Sequence, residues 1–400
     1  MSIIETVQND ALGSQLEAVG VAVARASGRI PVALEDFQDP HKLFHHIDRV
    51  HELLTTGDTR PIHMTIGLTN YCNHKCPWCY INWNQAGKLS DRSGSYGRNS
   101  KKAINAGDRV IEAVGEALEI GLKAVTIVGD GEPTMHPRFI EMLGALGKMD
   151  LDIGIFTNMS THRPDVIDAL VKHCFFVRCS IDAVRPEVHA EMHGADDFDR
   201  VIVNLRALVA RRGNSTFPVI GVQYVTNHHN FTDLPYAAQF YRDLGVDYLT
   251  IKPAYKNELN LAHEENALRN EDVYTYMREA KVFQTDTFKV YAKTSQFAEA
   301  LKFKTNDARY YKKCQATPLS PYLDEDGTVE MCGNLKGRGF SVDNVYKNSF
   351  QEIWYSQHRK NCMARIDLFK CPAGCKLDPL NKVLWDTLCP DNRRTHKNFV

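Results

Sequence analysis

The sequence lacks an excess of charge of either sign, and it lacks any long hydrophobic run. Its 48 Lys and Arg residues are balanced by 49 Asp and Glu residues, which leaves a formal net charge of −1. A broad phosphate-binding surface usually leaves a basic excess, so the balance argues against a nucleic-acid partner. No segment approaches the roughly 18 apolar residues of a membrane span, and residues 1–20 lack the basic start and apolar run of a secretory signal. We therefore expect a cytoplasmic protein without a membrane partner.

Cysteine, by contrast, is abundant, with 11 residues in a chain of 400. Disulfides are rare in the reducing cytosol, so these cysteines need another explanation. Isolated cysteines are most often buried apolar thiols. Cysteines grouped at short spacings are instead typical of metal or iron–sulfur ligands. Two groups occur here, one at residues 72–79 and one between residues 314 and 375.

Strand-like and helix-like patterns alternate through the middle of the chain, beginning near Pro61. Roughly six β/α units are present, which predicts a parallel sheet with helical crossovers. So few units cannot complete an eight-unit barrel. We therefore predict an α/β fold, a partial (β/α)6 TIM-like barrel with its site at the carboxyl ends of the strands. The predicted organisation is a short helical N-terminal extension over residues 1–60, the barrel core over 61–255, a connecting segment over 256–310 and a small C-terminal cluster-binding domain over 311–400.

The first cysteine group has the spacing C-x3-C-x2-C and directly follows the first predicted strand. Its members are Cys72, Cys76 and Cys79. Thiolates are the usual ligands of iron–sulfur clusters, and three of them leave one iron of a four-iron cluster open to another ligand. A structural zinc site needs four ligands. His74 is the available fourth ligand, but its place inside this short loop makes joint tetrahedral ligation awkward, so the spacing favours a cluster.

This segment resembles the CxxxCxΦC signature of radical S-adenosylmethionine (SAM) enzymes, with Trp78 at the aromatic position Φ. The resemblance implies that Cys72, Cys76 and Cys79 hold a [4Fe–4S] cluster whose open iron chelates SAM, and that Trp78 lies near the adenine. It also implies that reductive cleavage of SAM supplies a 5′-deoxyadenosyl radical, with the hard chemistry carried by the cofactor. The electron would come from an external one-electron reductant of the flavodoxin or ferredoxin kind.

Motifs at the ends of the next strands extend the resemblance. The segment after the second strand is similar to the GGEP motif of the family, which binds the SAM amino group, although Asp130 replaces its first glycine. An ammonium group needs acceptors, and glycine allows the backbone to approach closely. The SAM-binding residues implied by the resemblance, besides Trp78, are Gly131, Glu132, Pro133, Thr157, Asn158 and Ser180.

The fourth strand contributes two candidate catalytic residues. Because strand residues alternate between faces, Arg178, Ser180 and Asp182 share one face and Cys179 points the other way. The resemblance implies that Asp182 faces the substrate cavity. Cys179 is either a core thiol or, as in some radical epimerases, a hydrogen-atom donor. Further substrate-side candidates, each with a solvated loop end as the alternative, are Gln223, Asn227, His228, Lys252, Tyr255 and Lys256, together with Arg92, Tyr96 and Arg98 in a possible covering loop over residues 82–99.

The second cysteine group resembles the SPASM/twitch extensions of radical SAM enzymes. Its members are Cys314, Cys332, Cys371 and Cys375. The resemblance implies one auxiliary [4Fe–4S] cluster, and a structural zinc ion is the alternative for four thiolates. Two further cysteines of this region, Cys362 and Cys389, lie outside the matching positions.

Three function hypotheses follow. The leading one is a radical SAM enzyme that abstracts hydrogen from a small polar molecule, such as a sugar or aminoglycoside, and so acts as an oxidoreductase or epimerase with a small-molecule partner. The alternative is a peptide maturase that makes thioether or carbon–carbon crosslinks. The 60 residues before Pro61 are short for a leader-recognition domain, which disfavours this alternative. The third is a non-catalytic iron–sulfur or zinc protein.

Overall fold

The computed structural model describes residues 39–79, 107–254, 268, 272–302, 309–336, 338–368, 371 and 375–388. Within these residues one ten-stranded sheet runs in the order β10-β9-β8-β1-β2-β3-β4-β5-β6-β7. Strands β1 to β7 are parallel, β8 is parallel to β1, and β9 and β10 are antiparallel additions. The described sheet has two edges and does not close, so the predicted partial barrel is confirmed. The strands are β1 His63–Ile66, β2 Ala124–Ile127, β3 Asp152–Thr157, β4 Phe176–Ser180, β5 Val219–Thr226, β6 Tyr248–Pro253, β7 Lys289–Ala292, β8 Tyr322–Leu323, β9 Thr328–Glu330 and β10 Ser341–Asn344.

Helices follow the parallel strands, as crossover connections require. Among the described helices, none combines the length and the hydrophobicity that crossing a bilayer requires. Short 3-10 turns lie at Pro40–His46, Pro133–Met135, Phe231–Asp233, Thr317–Leu319 and Gly333–Leu335. The α-helices are α1 Ile47–Thr56, α2 Asp108–Glu119, α3 Phe139–Leu146, α4 Pro164–His173, α5 Pro186–His193, α6 Phe198–Arg212, α7 Leu234–Asp243, α8 Val273–Lys281, α9 Thr294–Lys302, α10 Phe350–Tyr355, α11 Gln357–Ala364 and α12 Asp378–Leu388.

The two faces of the sheet differ in chemistry. Successive strand residues point to opposite faces, so Val177 and Cys179 of β4 lie on the helix-facing side, where both are fully buried in the main apolar core. Arg178 and Ser180 lie on the opposite side, which we call the interior face, and both are half-buried. Polar groups that converge on a partly accessible interior are typical of a ligand site. By the strand registers, the interior face also carries Thr65, Thr126, Phe156, Gln223, Tyr248, Thr250, Lys252 and Tyr291.

The C-terminal part of the chain continues the same sheet. Tyr322 of β8 is in register with Thr65 of β1, so the tail is joined to the barrel by strand pairing. A second apolar core lies here, where Leu53 of α1 packs with Leu335 and Leu384. The helical character predicted for the N-terminal extension is found in its described part, residues 40–56.

The stretch predicted as a connecting segment contributes to the barrel. It holds α8, strand β7 and α9, and β7 pairs in parallel with β6, which adds a seventh parallel strand to the predicted six. The sequence signal was weak because β7 has only four residues, Lys289–Ala292, and Lys289 at its start is charged. The predicted domain limits themselves stay a prediction.

Candidate active site

The loop between β1 and residue 79 brings the first three cysteines to the carboxyl end of the sheet. The chain after β2 closes onto this loop through two backbone hydrogen bonds. Gly131 N donates to Thr69 O at 2.9 Å, and Glu132 N donates to Tyr71 O at 2.8 Å. A Cβ at position 131 would lie 2.6 Å from Thr69 O and would overlap Tyr71 O. Glycine is therefore required for this contact, and the loop that carries Cys72, Cys76 and Cys79 rests directly on residues 131 and 132.

Glu132 connects the ends of β2 and β3. Its Oε1 accepts hydrogen bonds from Thr134 Oγ1 at 2.7 Å and from Thr157 Oγ1 at 2.6 Å, and its Oε2 accepts from Asn158 N at 2.8 Å. The carboxylate is buried. A carboxylate has about four lone-pair positions, so Oε2 keeps capacity for one more donor, such as an ammonium group. The structure thus brings together Glu132, Thr157 and Asn158 as predicted for SAM binding, and their role as ligands stays a prediction.

Asn73 ties the cysteine loop to the end of β3. Asn158 Nδ2 donates to Asn73 Oδ1 at 2.9 Å, and Asn73 Nδ2 donates to Ser160 Oγ at 3.0 Å. The loop is therefore held from two neighbouring strands. No sequence motif predicts this contact, because Asn73 occupies one of the unspecified positions of the C-x3-C spacing.

Three buried histidines form a network behind the cysteine loop. His74 Nε2 lies 3.1 Å from Asp197 Oδ2, and His189 Nε2 lies 2.9 Å from Asp197 Oδ1. His193 Nδ1 lies 3.4 Å from Cys76 Sγ and 3.3 Å from His74 Nδ1. His74 therefore faces Asp197. The sequence analysis missed the pair His189 and His193, whose spacing of four residues on a helix places them on one face.

The end of helix α5 holds this network against the cysteine loop. Lys75 N donates to His193 O at 2.8 Å. The helix ends at Gly194, whose φ of +59° is the left-handed conformation that favours glycine. A Cβ at position 194 would lie 2.7 Å from Lys75 O. Gly194 is thus required both for the turn and for the approach of the two segments.

We expect the hydrogen bond from His193 to Cys76 to tune a cluster bound to this thiolate. Asp182 N donates to His193 Nε2 at 3.2 Å, so a neutral His193 carries its proton on Nδ1, facing Cys76 Sγ at 3.4 Å. Hydrogen bonds to cluster sulfurs raise the reduction potential. His193→Phe is expected to make the potential of the cluster more negative in an EPR-monitored redox titration. His193→Gln, which keeps a donor, should shift it less. An unchanged potential in His193→Phe would contradict this assignment.

The surroundings of the cysteines fit the cofactors that the resemblance implies. Trp78 Nε1 is buried and has no hydrogen-bond partner in the part of the chain described by the structure. The Trp78 ring stands edge-on to His193, with 6.2 Å between the centroids. An unsatisfied buried donor indicates a missing partner. A thiolate-bound cluster that carries a polar ligand fits this site. The site offers three thiols in one loop, the close backbone contact at Gly131 and the unpartnered Nε1 of Trp78.

The remaining candidates on β4 and β5 occupy different environments. Ser180 lies on the interior face beside Gln223, with which it is in register. Asp182 is fully buried, and its Oδ1 accepts a hydrogen bond from Val225 N at 2.6 Å. Burial raises the pKa of Asp182 to about 8. Asp182 thus joins the ends of β4 and β5 inside the protein, rather than lining the cavity as the resemblance implied.

Cys179 lies on the helix-facing side of the sheet. It is fully buried in the apolar core, and burial raises the pKa of its thiol well above the ordinary value. This placement favours the core-thiol alternative over hydrogen donation into the cavity. Of the other candidates, Asn227 is fully buried and its Oδ1 accepts a hydrogen bond from His229 N at 2.8 Å, while His228 lies at the surface. Five candidates lie outside the described residues, namely Tyr255, Lys256, Arg92, Tyr96 and Arg98.

Three of the four tail cysteines of the predicted auxiliary site, Cys332, Cys371 and Cys375, pack in the second apolar core, and Cys314 lies close enough to affect the pKa of each. Burial, with repulsion from Cys314 among the further causes, raises the pKa of Cys332 to about 11 and that of Cys375 to about 12. Cys371 is half-buried and its pKa is also raised, by burial first and then by Cys314. Grouped thiols in an apolar setting are suited to a thiolate-bound metal or cluster. Asn381 Nδ2 donates to Cys314 Sγ at 3.4 Å and fixes that side chain.

Cys362 stands apart from this group. It is fully buried on α11, and its Sγ accepts a hydrogen bond from Arg365 Nη2 at 3.3 Å. Its other contacts are Ser341 O and His358 Nε2. Cys389 lies outside the described residues.

Comparison with protein families identifies the class. Residues 66–234 match the family model of the radical SAM superfamily. This stretch contains the cysteine loop, the Gly131 cradle and the ends of β3 and β4. Residues 66–234 are therefore a radical SAM domain.

Its relatives include a bacteriocin biosynthesis protein and a mycofactocin maturase. The chain is 23% identical over 359 residues to the antilisterial bacteriocin subtilosin biosynthesis protein AlbA of Bacillus subtilis, which covers 83% of this chain and 71% of AlbA. It is 23% identical over 350 residues to the mycofactocin maturase MftC of Mycobacterium tuberculosis, with 82% of each chain covered. The crystal structure of Streptococcus suis SuiB bound to precursor peptide SuiA has a TM-score of 0.62 at 14% identity, covering 92% of this chain and 85% of SuiB.

These comparisons correct the leading function hypothesis. Oxidation or epimerisation of a small sugar-like molecule is wrong as the main hypothesis, because the relatives that span both the barrel and the tail are named as a bacteriocin biosynthesis protein and a mycofactocin maturase. The predicted small-molecule partner is wrong for the same reason. The predicted cofactors are confirmed. The radical SAM family, the SPASM-type relatives and the SAM-bound structure of SuiB imply a [4Fe–4S] cluster, an auxiliary cluster and SAM.

Proposed function

We propose that this protein is a radical SAM peptide maturase that forms a thioether or carbon–carbon crosslink within a ribosomal peptide. The observation that carries the proposal is the extent of the similarity to AlbA and MftC, which reaches 83% and 82% of this chain and so includes the tail with its cysteines. The likeness of the fold to SuiB, which was crystallised with a precursor peptide, supports it.

Some residues of the site would bind the cofactors, and others keep the surrounding loops in position. When bound, the cluster and SAM supply a 5′-deoxyadenosyl radical that abstracts a hydrogen atom. Cys72, Cys76 and Cys79 are the proposed cluster ligands, and Gly131 and Glu132 present backbone and carboxylate acceptors to the SAM amino group. Crosslinking removes two hydrogens from the peptide, one as an atom and one as a proton with an electron. The tail thiolates are the proposed place for the acceptor of that electron.

The position of the tail supports this division of labour. Lys376, next to Cys375, reaches the interior face, where its Nζ lies 3.4 Å from Thr65 Oγ1. The same Thr65 is in register with Tyr322 at the start of the tail strands. The auxiliary cysteines are therefore neighbours of the barrel interior, where a substrate radical would form.

Three further expectations stay predictions. Thiolate ligands require a reducing compartment, which favours the cytoplasm. An external one-electron reductant remains necessary, and a flavodoxin or ferredoxin is the expected type. The proposed domain limits keep the barrel at residues 61–255 and the cluster-binding tail at 311–400.

The test uses anaerobically reconstituted full-length protein with SAM, dithionite and synthetic peptides translated from the small reading frames beside its gene. We expect 5′-deoxyadenosine and a peptide product that has lost two hydrogens, both measured by liquid chromatography with mass spectrometry. Cys76→Ala is the control and should form neither. Absence of 5′-deoxyadenosine with the wild-type protein would refute radical chemistry. Formation of 5′-deoxyadenosine with every such peptide unmodified, while a sugar is converted, would refute the maturase assignment alone.

A further inference from the structure

Two lysines stand side by side on the interior face at the carboxyl ends of β6 and β7. Lys252 follows Tyr248 and Thr250 on that face, because alternate residues of a strand share a side. Ile251 is in register with Ala292, and Lys293 N donates to Ile251 O at 3.0 Å. Lys293 therefore comes directly after β7 at the level of Lys252. Both side chains are half-buried.

Arg178 points to the same interior from β4. Its guanidinium lies 4.6 Å above the ring of Phe156 and 5.6 Å from that of Tyr248, and its Nε donates to Tyr248 Oη at 3.0 Å. Aromatic faces and a hydroxyl hold the guanidinium in place, an arrangement that suits arginine. The next residue of β4 on this face is Ser180, one of the predicted SAM-binding residues. The arginine thus lines the cavity where the cofactor is expected.

Arg178 repels both Lys252 and Lys293. Neither the Lys252 nor the Lys293 ammonium has a carboxylate within ion-pair distance in the described ranges. Burial, followed by repulsion from Arg178, lowers the pKa of each lysine to about 8. The acid whose charge acts on Lys252 is Asp182. Burial raises the pKa of Asp182 itself to about 8, so it offsets less positive charge than an ordinary aspartate would.

Clustered like charges cost free energy, and they persist where a ligand of opposite charge is bound. A carboxylate suits this set, because it accepts hydrogen bonds from an arginine fork and from two ammonium groups at once. A peptide brings carboxylates as Asp or Glu side chains and as its C-terminus. Lys42, from the 3-10 turn at residues 40–46, adds further positive charge near Lys293.

We propose that Arg178, Lys252 and Lys293 form an anion site inside the barrel, which holds a carboxylate of the peptide substrate and so positions the neighbouring residue for hydrogen abstraction. This inference rests on the proposed function for the identity of the ligand. The site itself is defined by this chain. Its predicted consequence is selectivity for peptides that carry a carboxylate close to the residue to be modified.

The test is an acylation footprint on the anaerobically reconstituted protein, without SAM or reductant. An amine-reactive ester is allowed to react with the lysines at neutral pH, and modification of each lysine is measured by mass spectrometry. The probes are three acetylated tripeptides: Ala-Ala-Ala with a free C-terminus, the same peptide with a C-terminal amide, and Ala-Glu-Ala with a C-terminal amide. Exposed Lys148 is the internal control.

We expect a carboxylate peptide at about four times its Kd to slow acylation of Lys252 and Lys293 about fivefold, while Lys148 is unaffected. Stronger protection by the free C-terminus identifies that source of carboxylate, and stronger protection by Ala-Glu-Ala identifies a side chain. Equal protection by the neutral peptide, or no protection by any peptide, would overturn the proposal.

Variants separate charge from shape. Lys252→Met keeps the length of the side chain without its charge, and it should weaken protection of Lys293 by the carboxylate peptide about tenfold in Kd. Lys252→Arg, which keeps the charge, should restore protection, and Lys148→Met should have no effect. Unchanged protection in Lys252→Met would contradict the anion site. Because this experiment involves no turnover, it can succeed even if the maturase assignment fails, and the turnover assay can succeed without it.

Discussion

Gly131→Ala is expected to abolish iron binding by the cysteine loop and to destabilise the fold by about 3 kcal/mol, the upper part of the range for overpacking. A methyl group at this position would overlap Tyr71 O and would lie 2.6 Å from Thr69 O. Both obstacles are backbone atoms, which cannot swing aside as a flexible side chain can. The hydrogen bonds from Gly131 N and Glu132 N to the cysteine loop would break, and that loop would lose its support.

The matched control is Gly115→Ala. Gly115 lies in helix α2, and a Cβ there would meet nothing within 4 Å. Alanine inside a helix is favoured over glycine by about 1 kcal/mol, so this variant should keep its iron and gain stability. Iron content after anaerobic reconstitution and urea denaturation would be measured for both variants. Normal iron loading of Gly131→Ala would show that the contact with Tyr71 and Thr69 is dispensable.

Lys336→Met is expected to destabilise the protein by about 3–5 kcal/mol, the usual cost of removing one partner from a buried ion pair. Lys336 Nζ contacts Asp130, Asp324 and Glu325, the last at 3.0 Å, and the lysine side chain is 3% exposed. Asp130 precedes the Gly131 cradle, whereas Lys336 belongs to the tail. The variant would leave acidic groups in the protein interior, where the tail meets the loop that contains Gly131.

Acid pH should reduce the loss of stability that Lys336→Met causes. Burial holds the pKa of Asp130 at about 6, above its ordinary value of 3.8, and that of Glu325 at about 11. A carboxyl group with a raised pKa is least costly when protonated, so stability is lost as pH rises through the folded pKa. Without Lys336 the pKa of Asp130 rises further. The difference in unfolding free energy between Lys336→Met and the wild type should therefore decrease as pH falls from about 7 to about 5.

Lys382→Met is the control for this experiment. Lys382 Nζ lies 2.7 Å from Asp378 Oδ2 on helix α12, but the lysine side chain is 33% exposed. Accessible ion pairs contribute about 0–1 kcal/mol, so this variant should unfold near the wild-type denaturant concentration. Asp130→Asn combined with Lys336→Met should recover part of the loss, because fewer charges remain unpaired. A Lys336→Met protein within about 1 kcal/mol of wild type would show that the buried charges are not coupled.

The sequence alone identified the chemistry wherever it is encoded locally. The spacing of Cys72, Cys76 and Cys79 is a feature of one loop, and a three-thiolate ligand set needs no other segment to be recognised. Helix α2 at residues 108–119 and helix α4 at residues 164–173 lie in the part of the chain where the sequence predicts alternating β/α units. Their apolar residues repeat at the helical period, and α4 has proline in its first turn. The roughly six predicted β/α units correspond to strands β1 to β6, because short apolar runs between helices form parallel strands.

The tertiary structure decided what depends on contacts between distant segments. Lys336 and Asp130 are 206 residues apart, and His193 is 117 residues from Cys76. A local sequence pattern cannot predict a contact between such distant residues. From the sequence, Asp130 was therefore only a departure from a family motif. The alternation on β4 predicted that Cys179 and Arg178 face opposite ways, but only packing showed which face is the cavity. The sequence pattern of a strand does not distinguish its two faces. Because the helices pack against one face of the sheet, Arg178, Lys252 and Lys293 on the other face belong to the barrel interior.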